Sequence, residues 1–149
     1  MGLYFEEFFV GQKMVTEKRT VTENDIMTFA KLSGDDNRIH TDPEFSKTTQ
    51  FGRQIAHGVL GFAISSGLAW KTGILDGTVI AFREITEWKF VAPVFIGDVV
   101  QADMEVTETK ALPRIGGGAV TLNFKLKNQK DEVCHRGTWN VLIMSKPSS

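Results

Sequence analysis

The sequence predicts an α+β fold, a curved antiparallel sheet wrapped around one buried helix, on three observations. Residues 57–70 form an uncharged stretch with apolar side chains on every face of a helix, the pattern of a buried one. In the second half of the chain, apolar and polar residues alternate with a period of two, the mark of strands with one buried face. Turn-forming residues separate those alternating runs at Gly97-Asp98, at Pro113 to Gly118 and at Lys130-Asp131.

In chain order, residues 13–20 (Met14, Val15, Thr16 and Thr20 among them) suit a first strand. Thr22-Glu23-Asn24-Asp25 has the form of a capping box, and Ile26, Phe29, Ala30 and Leu32 follow along one helical stripe until Gly34 stops it. Residues 35–55 read as an irregular excursion with one helical turn after Pro43. The apolar helix comes next, too short at fourteen residues to cross a bilayer, which takes about 18 or more. The strands then follow. Ala102, Met104 and Val106 line one face, as do Val120, Leu122, Phe124 and Leu126, and near the end Trp139, Val141 and Ile143. No repeat, low-complexity tract or linker divides residues 1–149, so a single domain is expected.

Bulk composition narrows the function. A hydrophobic share of 42% and a charged share of 23% fit an ordinary globular protein rather than a disordered one. The net charge of −1 gives no reason to expect a nucleic-acid or anionic-membrane partner. One cysteine, Cys134, excludes an intrachain disulfide and a cysteine metal cluster, and it suits a packing role in a reducing compartment. The N-terminus lacks a basic region followed by an apolar run, and no segment is long enough to span a membrane. A cytoplasmic protein is expected.

The chemistry concentrates in Leu32-Ser33-Gly34-Asp35-Asp36-Asn37-Arg38-Ile39-His40-Thr41-Asp42-Pro43. An Asp and a His close together can divide acid and base work near neutral pH. Gly-Asp-Asp-Asn is equally good turn and cap chemistry, and His40 can serve simply to bond a loop carbonyl. A calcium loop counted from Asp35 fails, because its sixth and twelfth positions are His40 and Ser46 rather than Gly and Glu. A metal held by Asp35, His40 and Asp42 is a further option. On residue chemistry alone, structural turn and catalytic pair both stand.

The run Gly34-Asp35-Asp36-Asn37-Arg38-Ile39-His40 resembles the Gly-Asp-x-Asn-Pro-x-His signature of the MaoC-like dehydratases and (R)-specific enoyl-CoA hydratases. Phe51-Gly52-Arg53-Gln54-Ile55-Ala56-His57-Gly58 resembles that family's approach to its central helix, and Phe90 to Asp98 its strand-to-turn element. Tyr4 to Phe8 and Arg19 to Thr22 extend the likeness over nearly the whole chain, in order. The resemblance implies a hot-dog fold and a hydro-lyase acting on enoyl thioesters of CoA or acyl carrier protein, with no cofactor and no metal. By position it implies Asp35 and His40 as the catalytic pair, Asn37 as a positioning residue, the Gly58 N–H as oxyanion donor and Ser66 in the site wall. Arg38 stands where the family has proline.

Among the remaining candidates, His57 is expected to cap or orient the helix entrance and His135 to lie exposed in a late strand. Phe62, Phe82, Trp88 and Phe90 suit either an acyl tunnel or ordinary core. Arg83, Lys89, Lys110 and Arg114 are candidates for CoA phosphates. A thioesterase of the same fold and a non-catalytic acyl-CoA-binding module are the rival readings. An open sheet leaves edges that a second copy would cover, so a homodimer or higher homo-oligomer is expected.

Overall fold

The computed structural model describes residues 1–148. Short strands β1 (Lys13–Val15) and β2 (Arg19–Thr20) replace the continuous strand expected over 13–20. The break comes at Thr16, whose buried hydroxyl accepts from the Ala102 N–H at 2.9 Å. Helix α1 (Glu23–Ser33) starts as its sequence dictates. Thr22 Oγ1 accepts from the Asp25 N–H at 3.1 Å, and the Asp25 carboxylate accepts from the Thr22 N–H at 2.9 Å. It ends at Gly34, where a φ of 79° suits glycine. Ile26 and Ala30 are buried, but Leu32 is not part of the stripe and is exposed.

Two single-turn helices follow, α2 (Arg38–Thr41) and α3 (Pro43–Ser46). The turn after Pro43 was expected; the one carrying His40 was not. Helix α4 (Gly58–Lys71) is the central helix. It buries Leu60, Ile64, Leu68 and Ala69 against the sheet, while Val59 and Trp70 are exposed. In a single chain the helix therefore has one open side, contrary to burial all round.

The long strands are β3 (Val79–Phe90), β4 (Val99–Leu112), β5 (Gly117–Lys127) and β6 (Val133–Met144). All pair antiparallel in the order β1-β4-β5-β6-β3, with β2 also on β4. The inward rows are those of the two-residue period: Ala102, Met104 and Val106; Val120, Leu122, Phe124 and Leu126; Trp139, Val141 and Ile143. A curved antiparallel sheet packed on a helix is the α+β arrangement the sequence predicts. Strand β3 is one edge of the sheet and short β1 the other, and register shifts interrupt the pairing of β3 three times. No helix among the described residues is long and apolar enough to cross a membrane.

Candidate active site

The loop between α1 and α2 is built by its own side chains. Ser33 Oγ accepts from the Asp35 N–H at 3.1 Å, and the Asp35 carboxylate accepts from the Asn37 N–H at 3.3 Å. Asn37 Oδ1 then accepts from the Ile39 N–H at 3.1 Å and so caps α2. This places His40 on α2, half-buried. Gln54 Nε2 donates to the His40 carbonyl at 2.8 Å, and Ser46 Oγ donates to the Ile39 carbonyl at 3.0 Å. His40 Nδ1 lies 2.7 Å from the Ile55 carbonyl. A carbonyl can only accept, so Nδ1 carries the proton and, in the neutral ring, Nε2 carries the free lone pair. Burial holds the His40 imidazole below its ordinary 6.5; the Ile55 bond and Asp35 oppose that shift, and His57 adds to it.

His57 is buried and makes no side-chain cap to α4. It orients the loop instead. Its Nε2 donates to the Asp35 carbonyl at 2.8 Å, and its ring stacks on His40 with centroids 3.9 Å apart. One ligand atom each from Asp35, His40 and His57 falls within 4.8 Å of the others. Asp35 and His40 make no direct hydrogen bond, and a gap of that size is one a single water bridges. Each of these histidines spends one ring nitrogen on a backbone carbonyl, His40 Nδ1 on Ile55 and His57 Nε2 on Asp35. Asp42 is occupied elsewhere: it caps α3 through the Phe45 N–H at 3.0 Å and pairs with Arg38 at 3.1 Å. Arg38 also lies over the Phe45 ring at 4.4 Å, so its charge is pinned beside α3.

His40 opens into a pocket of about 470 Å³ whose walls include Ile55, Gly58, Val59, Phe90 and His135. Gly58 is the first residue of α4, where backbone N–H groups lack helical acceptors and the dipole is positive. A Cβ there would lie 2.7 Å from the Phe90 ring, so glycine lets that ring close on the helix end. Of the expected residues, His40 and Gly58 line this pocket; Asp35, exposed, lies beside His40 without lining it, and Asn37 caps the helix that carries His40. Ser66 lies eight residues along α4 on an exposed side, outside this wall. Arg83, Lys89, Lys110 and Arg114 are likewise outside it.

His135 is the correction. It is 3% exposed and faces α4 in the row of Trp139, Val141 and Ile143. Burial pushes its imidazole down to about 4. Counting back by twos from Trp139 through Gly137 reaches His135, a signal present in the sequence. Phe62 and Trp88 pack with Trp139 and Phe124 in an aromatic cluster; of the four candidates, Phe90 alone enters the pocket wall. Cys134 is buried, and burial foremost raises its thiol to about 11, so it packs rather than reacts.

A profile described as "MaoC like domain" matches residues 7–127. The chain belongs to the MaoC-like family. An (R)-specific enoyl-CoA hydratase of Aeromonas caviae is 40% identical over 98 residues, 66% of this chain and 70% of that one. A 3-hydroxybutyryl-CoA dehydratase of Methylorubrum extorquens is 35% identical over 106 residues, 71% of this chain and 65% of its own. Protein MaoC of Klebsiella aerogenes is 37% identical over 98 residues, and the match spans only 29% of its length. Among solved structures, an Archaeoglobus protein described as a monoamine oxidase regulatory protein superposes with a TM-score of 0.90 at 40% identity, covering 98% of this chain and 97% of that one. A Mycobacterium tuberculosis protein described as a double hot-dog fold gives 0.87 at 18% identity over 99% of this chain and 46% of its own, which shows the fold alone. The MaoC-like chain is thus a hot-dog protein of a hydratase and dehydratase family.

Proposed function

We propose that this MaoC-like chain hydrates trans-2-enoyl thioesters of CoA or acyl carrier protein to (R)-3-hydroxyacyl thioesters, reversibly. One observation carries the reading: the exposed Asp35 carboxylate lies within one water's span of the imidazole of His40, and His40 lines a pocket that also holds the N-terminus of α4. The water sits between the pair. Its oxygen bonds to the β-carbon while His40 Nε2, the ring's free lone pair, takes its proton and Asp35 holds its second hydrogen. Electron density moves through the α-carbon onto the thioester oxygen, where the Gly58 N–H stabilises it at the positive helix end. The proton returned to the α-carbon completes the addition of one water. Asn37 positions His40 by capping α2.

Crotonyl-CoA tests the reading. Loss of enoyl absorbance without release of free CoA is expected, and Asp35→Asn should abolish it while thioester binding persists. Free CoA with the enoyl absorbance intact would make the protein a thioesterase. Binding without turnover, unchanged in Asp35→Asn, would make it the non-catalytic module that the regulatory names of some relatives suggest. The working unit we propose is a homodimer, because twelve-residue edge strand β3 leaves Ile80, Phe82 and Ile85 uncovered.

A further inference from the structure

The inner face of β6 is apolar at Trp139, Val141 and Ile143, yet in the same row it carries His135. No hydrogen bond reaches His135 Nδ1, which is enclosed. The ring meets Phe90 edge-on at 5.1 Å and Trp88 at 6.0 Å, and the Trp88 indole N–H, itself without a partner, does not bond to it. A polar atom enclosed without a partner costs about 1–3 kcal/mol, a cost that an apolar residue in that row would avoid. The arrangement that holds the ring is specific. A Cβ on Gly61 would fall within 2.1 Å of Cε1 and 2.7 Å of Nδ1, so the helix lacks a side chain where that edge of the imidazole lies. The ring also forms part of the wall of the pocket that His40 lines. Nε2 lies 3.1 Å from that Cβ position and, unlike Nδ1, is not enclosed, so it is the nitrogen that can meet a ligand.

We propose that His135 is a specificity residue for the acyl group, and that the pocket takes acyl chains bearing a hydroxyl beyond the reacting carbons. The inference rests on the hydratase reading for which carbons react, not for the binding preference itself. A hydroxyl suits the site because it can accept from an Nε2–H or donate to an Nε2 lone pair, whichever tautomer is present. Burial keeps the ring neutral, with its titration pushed down to about 4, so the site is not built for a carboxylate-bearing chain. A plain alkyl chain of the same length covers Nε2 without bonding to it and is discriminated against for that reason.

The test compares crotonyl-CoA with 4-hydroxycrotonyl-CoA, and butyryl-CoA with its 4-hydroxy and 5-hydroxy forms in binding. Wild-type protein is expected to favour the hydroxylated thioester by about tenfold in kcat/KM and in affinity. His135→Leu and His135→Phe are expected to erase or invert that ratio. In the wild type, the His135 ring signals should shift with 4-hydroxybutyryl-CoA or its 5-hydroxy form, and not with butyryl-CoA. Equal handling of both classes by the wild type overturns the inference even if neither variant folds. So does a preference that survives both substitutions. Hydration of crotonyl-CoA with no hydroxyl preference sinks this inference and leaves the hydratase reading standing. A hydroxyl preference in binding without any hydration does the reverse, and failure to bind any of the thioesters sinks both.

Discussion

At the scale of single residues, the site depends on which nitrogen of each histidine is engaged. His40 is useful as a base because its Nδ1–H donates to the Ile55 carbonyl, which leaves the Nε2 lone pair free. Its protonation is disfavoured chiefly by burial. Hydration kcat/KM should therefore be flat through neutral pH and fall only on the acid side of 6.5, as the neutral ring is lost; a stopped pH profile read from enoyl absorbance checks this. An acid limb centred above 6.5 would remove His40 from the role. His135 bears on stability instead. Its folded value of about 4 lies below the unfolded 6.5, so the folded state binds fewer protons in between. The stability it contributes is present above pH 6.5 and is lost as pH falls toward 4, up to about 3 kcal/mol. Melting temperatures between pH 7 and pH 4 should drop more steeply in wild type than in His135→Leu. The pair Asp35 and His40 was legible because both stand within one short motif. The His57 bond to the Asp35 carbonyl was not, since it joins positions 22 residues apart that only the fold brings together.

At the scale of elements, the glycines of α4 do different things in what reads as one apolar helix. Gly61 faces the His135 ring, and Gly67 faces open space. Gly67→Ala should stabilise by up to about 1 kcal/mol through helix propensity alone. Gly61→Ala should destabilise despite the same propensity gain, because its Cβ enters the imidazole and the ring has little room to move. Urea midpoints of the two variants read the contrast, and equal shifts of the same sign would contradict this packing. Nothing in the run Gly58-Val59-Leu60-Gly61 distinguishes these roles beforehand. The capping box and the inward rows of β4, β5 and β6 were legible, because each is a local pattern that tertiary packing reinforces. Strand β3 was foreshadowed only by the general change of period in the second half of the chain and by the strand-to-turn likeness that begins at Phe90. Its irregular register at residues 80, 83 and 87–88 breaks the alternation, and as an edge it has no consistently buried face.

The whole molecule has one unbalanced side. Edge strand β3, the exposed Val59 and Trp70 of α4, and Phe90 and Val91 beside the pocket all leave apolar surface uncovered. A long edge strand with free backbone groups invites pairing, and pairing with a second copy would cover the edge and the open helix side together. Site and assembly would then be linked, because Phe90 ends β3 and also walls the pocket. Ile85→Lys and Phe82→Lys place charges on the edge while leaving Asp35, His40 and Gly58 untouched. Each should shift the light-scattering mass from two chains to one at micromolar concentration, and lower hydration in proportion to the dimer lost. Activity should return as protein concentration rises, since mass action restores the pair. A wild-type mass of one chain, or full hydration by a monomeric variant, would show that the site is complete within a single chain and that this open side has another use.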